Sequence, residues 1–439
     1  MEIIITSIYI LLFVFLIYKL KFFKIENVSP LVLSLIFVIK IIVGVILTFV
    51  YIYYYNTRES ADIFKYFDDG EIIFSALKTN PVDYLRMVTG IGSDAEHLMK
   101  YYNETGFWIK NFNYDLYNDN RTVIRFNAII RLISFGYFHV HTVFMCFLSF
   151  AGLTAIFKTF FPVLKQKKIL LLLSVYFIPS VIFWSSGILK EGILLFAFGL
   201  FIYTVYNIVN KEFKKVYVIN LILTIFLLLI SKFYILIAVL PGIISYIWVS
   251  ATKKKAVLKF LIVHCLFIFF AFNSHYIIKT YNFPEILSKK QQDFNNMVDS
   301  LQTVGSVIKI PNLEPEFKSF VKNSPIAFFN TLFRPHIFEA YSLVTLLAAI
   351  ENMIIIIFII FTFFFIKKNI SDKPLLYLIV SYSIILFILC GLTTPVMGAL
   401  VRYKVPALPF LFIILLFILD IDKLNSFMLK IKSFVFKYK

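Results

Sequence analysis

Charged residues are sparse in this chain, so those outside its lysine-rich turns invite a chemical reading. The stretch Arg58-Glu-Ser-Ala-Asp62-Ile-Phe-Lys-Tyr-Phe-Asp68-Asp69-Gly70-Glu71 opens the first long polar segment. At helical spacing, Asp62, Lys65, Tyr66 and Asp69 share one face, while Ile63, Phe64 and Phe67 point elsewhere, as on an interfacial amphipathic helix. A carboxylate held there could deprotonate an acceptor hydroxyl or bind a divalent cation. Asp62 leads Asp68 and Asp69 as the catalytic candidate because it lies nearest the membrane mouth, just past the aromatic belt Tyr51–Tyr55. The competing reading is a solvated, acidic helix start.

A second feature is Phe183-Trp-Ser-Ser-Gly-Ile-Leu-Lys190-Glu191-Gly192. Lys190 and Glu191 are the only charged residues between Ile169 and Asn210. A charge at a bilayer centre costs about 2.5–3.5 kcal/mol. Pro179, Ser185, Ser186, Gly187 and Gly192 favour a broken or re-entrant turn, with Lys190 binding phosphate and Glu191 orienting it or holding an acceptor. The plain alternative is a polar hairpin tip. A third feature, Arg402-Tyr-Lys404-Val-Pro406, puts two cations ahead of a proline that can start a helix cheaply. Arg402 and Lys404 suit a lipid-linked phosphate, or are snorkelling anchors. In Arg334-Pro-His336-Ile-Phe-Glu339, Arg334 is a further phosphate contact and His336 an acid/base group. Lys40 and Glu351 each lie about ten residues into an apolar run, and intramembrane charges are functional candidates by default. They could pair, or Lys40 could snorkel.

The elements that must position these residues are membrane helices. The 439 residues are 60% hydrophobic and 15% charged, with 53 Phe and 26 Tyr. A soluble domain is about 45–50% apolar and about 25% charged. A soluble enzyme, a nucleic-acid binder and a disordered scaffold are therefore excluded, and long apolar runs do not fit a porin-like barrel. With about 20 apolar residues per crossing, the chain is an all-α polytopic membrane protein of about eleven spans. These are Ile3–Tyr18, Leu31–Tyr53, His139–Phe160, Ile169–Trp184, Ile188–Val209, Val216–Ile230, Phe233–Ser250, Val257–Phe272, Tyr341–Ile366, Leu375–Leu392 and Val405–Leu419. They form a single integral membrane domain, 1–439. Its two long loops, 56–138 and 273–340, carry amphipathic helices, and residues 420–439 form a basic tail.

Lysine sets the direction. Alternate connections and the tail carry +17 of the formal +18, which places them in the cytoplasm. The N-terminus and both long loops then lie outside and the C-terminus inside, in the plasma (inner) membrane. The net charge reflects topology and anionic lipid, not nucleic acid. All seven arginines fall on the opposite side from these lysines, where guanidinium forks suit phosphate. Some could simply pair with the eleven acids of the first long loop. Cys146, Cys265 and Cys390 have no CxxC spacing, and His139 and His141 lack a third ligand, so neither suggests a zinc site. There is no Walker loop, GxGxxG or HExxH, and no visible repeat.

Three features together resemble the multispanning C-type glycosyltransferases, which use polyprenyl-phosphate-linked sugars at the non-cytoplasmic face. They are the acidic start at Asp62 and Asp68/Asp69, the hairpin Ser186-Gly-Ile-Leu-Lys190-Glu191, and Arg402-Tyr-Lys-Val-Pro406-Ala-Leu-Pro409, similar to the RY-x-x-P signal before a late helix. The resemblance implies that Asp62 is the base or acceptor-activating carboxylate and that Lys190 and Arg402 contact phosphate. It implies transfer of one sugar to a glycan or lipid acceptor in envelope polysaccharide or glycoconjugate synthesis, with a divalent cation permitted but not required. One departure is the extra helix Ile3–Tyr18 ahead of the acidic loop. A polysaccharide repeat-unit polymerase or ligase is the alternative, and a lipid or polysaccharide transporter without covalent chemistry is a third reading.

Overall fold

A computed structural model describes residues 1–54, 58, 61–109, 117–210, 214–277, 279, 282–300, 307–427 and 429. Tyr55 of the aromatic belt, Lys211, Glu212 and the tail lysines Lys430, Lys432, Lys437 and Lys439 lie outside these residues. The described chain is helical. Helices α1 (Glu2–Lys19) and α2 (Pro30–Tyr54) precede the first long loop, which holds α3 (Asp62–Thr79), α4 (Pro81–Thr89), α5 (Met99–Tyr102) and α6 (Asn120–Ser134). Then come α7 (Phe138–Phe160), α8 (Lys168–Tyr176), α9 (Pro179–Trp184), α10 (Lys190–Asn210), α11 (Lys215–Thr252) and α12 (Ala256–Phe272). The second long loop holds α13 (Ser274–Ile277), α14 (Phe283–Ser300) and α15 (Phe317–Phe333). Last are α16 (Leu343–Phe364), α17 (Lys373–Thr393), α18 (Met397–Tyr403) and α19 (Leu408–Ile418).

Among the described residues, eight helices are long and apolar enough to cross a membrane: α1, α2, α7, α10, α11, α16, α17 and the run 397–418. The chain is a multi-pass, all-α membrane protein. At Ser231–Lys232, where the sequence suggests a turn, the 38-residue α11 is kinked into two helical stretches at Lys232 (φ −148°, ψ 79°). The run 169–184 is divided into α8 and α9, because the proline at position 179 disfavours helical backbone in the residue before it. The apolar helix α12 has 17 residues. Local signals set the ends of the loop helices. Asn80 caps α4 by accepting the Val82 N–H at 3.1 Å, Pro81 begins that helix, and Gly90 ends it with a left-handed φ of 83°.

Packing divides the chain into two compact units, one of residues 1–159 and 181–236, the other of 160–180 and 237–439. In the first unit α3 packs on α6 so closely that a Cβ at Gly70 would lie 2.5 Å from the Asn127 Cβ. Ile63, Phe67, Ile73, Tyr84, Trp108 and Ile124 form the core there. The face of α3 that the sequence presents as solvated is closed instead, with Tyr66 and Asp69 buried. The reason is tertiary: α6 and the segment around Phe107 pack over that face. Also in this unit, α7 and α10 cross backbone to backbone at Gly152 and Gly199.

In the second unit α15 packs on α17, with Gly391 against the Ala327 carbonyl. Lys167, between α7 and α8, donates to the carbonyls of Leu416 and Leu419 at the end of α19. Burial, with Lys367 nearby, pulls its ammonium down to a pKa of about 8.

Candidate functional site

The turn before α10 is built from buried polar groups. Lys40, in the middle of α2, donates to the hydroxyls of Ser185 (2.5 Å) and Ser186 (3.2 Å). Ser149 donates to the Ser185 carbonyl at 2.7 Å, and the Cys146 thiol points to the Ser186 carbonyl at 3.1 Å. The turn passes so near α2 that a Cβ at Gly44 would meet the Ser186 oxygen at 2.6 Å. Lys40 therefore does not snorkel but fixes the turn that launches α10, and Glu351 has partners of its own within the second unit.

Lys190 is the first residue of α10, and its ammonium lies 2.7 Å from Asp119 Oδ1. Lys232 reaches the other oxygen, Oδ2, at 3.3 Å. The break in α11 provides this reach, and Thr122 donates to the neighbouring Ile230 carbonyl at 2.5 Å. The three side chains are only 12% (Lys190), 9% (Lys232) and 20% (Asp119) exposed. Two ammonium groups thus share one carboxylate in a largely desolvated centre. Such burial is tolerable only because the charges are paired. Glu191 is buried in the first turn of α10, where the helix dipole favours a carboxylate.

The three candidate aspartates have different settings. Asp62 is the half-buried first residue of α3. One turn on, Tyr66 donates to Asn120 Oδ1 at 3.0 Å, and Asn120 adjoins Asp119. Asp68 forms a bidentate pair with Arg58 at 2.7 and 2.8 Å. Asp69 accepts the backbone N–H groups of Gly106 and Phe107, each at 2.8 Å. Burial pushes the Asp69 carboxyl up, and those two N–H groups recover only part of the shift. Asp69 is therefore a clamp on the loop. Asp69→Ala is expected to destabilise the first unit by about 1–3 kcal/mol, through loss of two hydrogen bonds to a buried carboxylate whose donors, on exposed Gly106 and half-buried Phe107, are partly rehydrated. Thermal unfolding in nanodiscs checks this, and an unchanged melting temperature would refute the clamp.

The arginines divide in a similar way. Arg121 lies 3.8 Å from Asp94 and Arg131 lies 2.9 Å from Glu71. With Arg58, three arginines of the first long loop thus pair with its acids. Arg125 donates to the Met87 carbonyl at 2.7 Å and stacks over Trp108.

His141 has Ser134 Oγ at 2.7 Å from Nε2 and Asn127 Oδ1 at 2.8 Å from Nδ1. The order nucleophile, imidazole and orienting amide is that of a hydrolase triad. All three residues are fully buried, however, and Ser134 Oγ already accepts the Gly136 N–H at 3.2 Å. The network joins α6 to α7 and offers no room for a substrate.

In the second unit, Lys404 is buried and donates to the Asn352 side chain (2.8 Å) and the Thr331 carbonyl (3.0 Å). Asn352 donates in turn to the Pro335 carbonyl at 2.8 Å. Lys404 thus holds the segment bearing Arg334 and His336. Arg334 pairs with Glu339, which also accepts the His336 N–H at 3.2 Å. Burial pushes the Glu339 carboxyl up, but these hydrogen bonds and the nearby cations outweigh it and hold the carboxyl below its usual value. Glu351 accepts the Ser180 N–H at 2.6 Å through Oε2, while its other oxygen is buried without a hydrogen-bond partner. Arg402 is half-buried in the last turn of α18.

Among the described residues, no three His, Cys, Asp or Glu side chains are grouped to hold a metal ion. Sequence reasoning missed Asp119 and Lys232. The available signal was a lysine between two apolar runs, which reads as a turn until its partner is known. No protein-family model matches the chain, and no curated protein and no solved structure matches it either.

Proposed function

We propose that this protein is a membrane glycosyltransferase that moves a sugar from a polyprenyl-phosphate donor to a glycan or lipid acceptor at the non-cytoplasmic face. The observation that carries this reading is the centre in which Lys190 and Lys232 converge on Asp119. In the proposed topology the chain crosses eleven times, with α11 counted on either side of Lys232 and with α12 and the α8–α9 pair added to the long helices. The N-terminus is then outside and the C-terminus inside.

The acceptor oxygen attacks the anomeric carbon as Asp62 takes the hydroxyl proton. The bond from that carbon to the phosphate oxygen breaks, and polyprenyl phosphate leaves with the electron pair. Lys190 and Lys232 stabilise the charge that develops on it. Arg402 is the phosphate-contact candidate of the second unit, where Lys404 and Asn352 position Arg334 and His336.

A repeat-unit polymerase is the second reading, favoured by the Arg334–Glu339–His336 cluster. The test uses purified protein in nanodiscs with polyprenyl-phosphate sugars and polyprenyl-diphosphate oligosaccharides, read by mass spectrometry. Single-sugar transfer with release of polyprenyl phosphate is expected, lowered at least about a hundredfold in Asp62→Asn and reduced in Arg402→Ala. Chain-length ladders with released diphosphate would establish the polymerase. Neither product from folded protein across a broad donor panel would favour transport.

A further inference from the structure

The second long loop carries a groove that none of the motifs above uses. One wall is α14, on which Glu285, Ser288, Gln292, Asn295, Asn296 and Asp299 line the cavity. Their spacing places them on one helical face. The other wall is the irregular segment Val307–Pro315, and the cavity between the walls measures about 770 Å³. That falls within the roughly 300–1,000 Å³ typical of small-ligand sites. The polar face spans about 21 Å at 1.5 Å per residue, longer than a single sugar ring.

The walls are fixed. On the flank of the polar face α14 buries Leu287, Gln291 and Val298, the last two of which also line the cavity. Buried Gln291 donates to the Pro311 carbonyl at 3.1 Å and the Leu392 carbonyl at 2.7 Å, and accepts the Leu313 N–H at 2.8 Å. At the other end, Ile308 donates its N–H to the Pro395 carbonyl at 2.6 Å. One amide thus pins the segment to α14 and to the end of α17, turning Ile308 and Leu313 inward and leaving Lys309 and Asn312 outward.

The lining indicates the ligand. Glu285, Asp299 and Glu314 oppose Lys289 and Lys309, and Lys289 is already paired with Glu285 at 2.6 Å. With formal charge close to zero, the groove is unsuited to a phosphate or a nucleic acid. Gln292, Asn295, Asn296 and Asn312 offer side-chain amides, each with two donors and an acceptor. These match adjacent hydroxyls and acetamido groups. We propose that this groove binds a neutral oligosaccharide and is the acceptor-glycan site of the protein. The choice of a glycan acceptor rests on the transferase reading, whereas the groove and its chemistry do not.

The test is binding, not turnover. Full-length protein in nanodiscs is titrated with two probes, a hexamer of N-acetylglucosamine and a hexamer of glucose, by calorimetry and saturation-transfer NMR. Binding of at least one probe is expected. It should weaken at least tenfold in the triple variant Gln292→Ala/Asn295→Ala/Asn296→Ala, whose changes fall on the groove face and leave the melting temperature unchanged. A second variant, Asn296→Trp, fills the groove and should weaken binding equally. If folded wild-type protein binds neither hexamer, or both variants bind like wild type, the proposal fails. Preference for a polyanionic glycan over both neutral probes also overturns it. Lys190→Ala should bind the hexamer normally, so hexamer binding by a wild-type protein that transfers no sugar would leave the groove standing and remove the transferase reading.

Discussion

Lys190→Ala is expected to lower sugar transfer by about 10²–10³, the usual loss when one preorganised group that stabilises developing charge is removed. The protein should remain folded, because Asp119 keeps its contact with Lys232 at 3.3 Å. Asp119→Ala should behave differently. It leaves two largely buried ammonium groups with no shared carboxylate, a loss of about 3–5 kcal/mol for breaking a buried pair from one side. Replacing the whole centre, as Lys190→Met/Lys232→Met/Asp119→Leu, should recover most of that stability and none of the turnover, since apolar groups of similar volume often replace buried ion networks without penalty. Melting temperature and mass-spectrometric turnover, measured together on the three variants, separate binding from folding. Full turnover in Lys190→Ala would remove this centre from the mechanism.

The second large effect concerns packing. Gly199→Ala should destabilise the first unit by about 3 kcal/mol, the upper range for overpacking. A Cβ at Gly199 would lie 2.0 Å from the Gly152 carbonyl oxygen, and one at Gly152 would lie 2.1 Å from the Leu195 oxygen. Because the obstacles are backbone atoms, no side chain can rotate aside, and α7 and α10 must separate. Small residues at such crossings let membrane helices approach closely. As α10 begins with Lys190, separation should also disturb the pairing with Asp119, so turnover should fall together with stability. Gly398→Ala is the control: its Cβ would meet nothing within 4 Å. It lies inside α18, where alanine should add about 0.5–1 kcal/mol. Equal melting temperatures for Gly199→Ala and wild type would refute the crossing.

The membrane architecture was largely legible because it depends on local properties. Twenty-residue apolar runs and a proline at 179 each act within a few residues of where they occur. The site was legible only in part. Lys190 stood out because its surroundings are apolar, but Asp119 lies 71 residues away in a polar stretch and only the packed fold brings it near. Asp69 looked like chemistry because carboxylates often are, yet its two backbone partners, 37 and 38 residues on, carry no sequence signal. Gln291 was missed for the same reason. A single amide reads as surface until the carbonyls of Pro311 and Leu392 are seen against it.

The Lys190–Asp119–Lys232 arrangement has a consequence for the order of events. Its formal charges sum to +1. In the proposed reaction the donor, a polyprenyl-phosphate sugar, is a phosphodiester with one negative charge, equal and opposite to the sum of these three side chains. Breaking the sugar–phosphate bond yields a monoester carrying about −1.5 to −2 at pH 7. The two lysines then attract the product more strongly than the donor and Asp119 repels it more strongly, so the net attraction grows with the charge on the phosphate. Asp119 offsets one of the two ammonium charges, so in the proposed reaction it moderates a grip that would otherwise hold the spent lipid, and release of the product is the step it would ease.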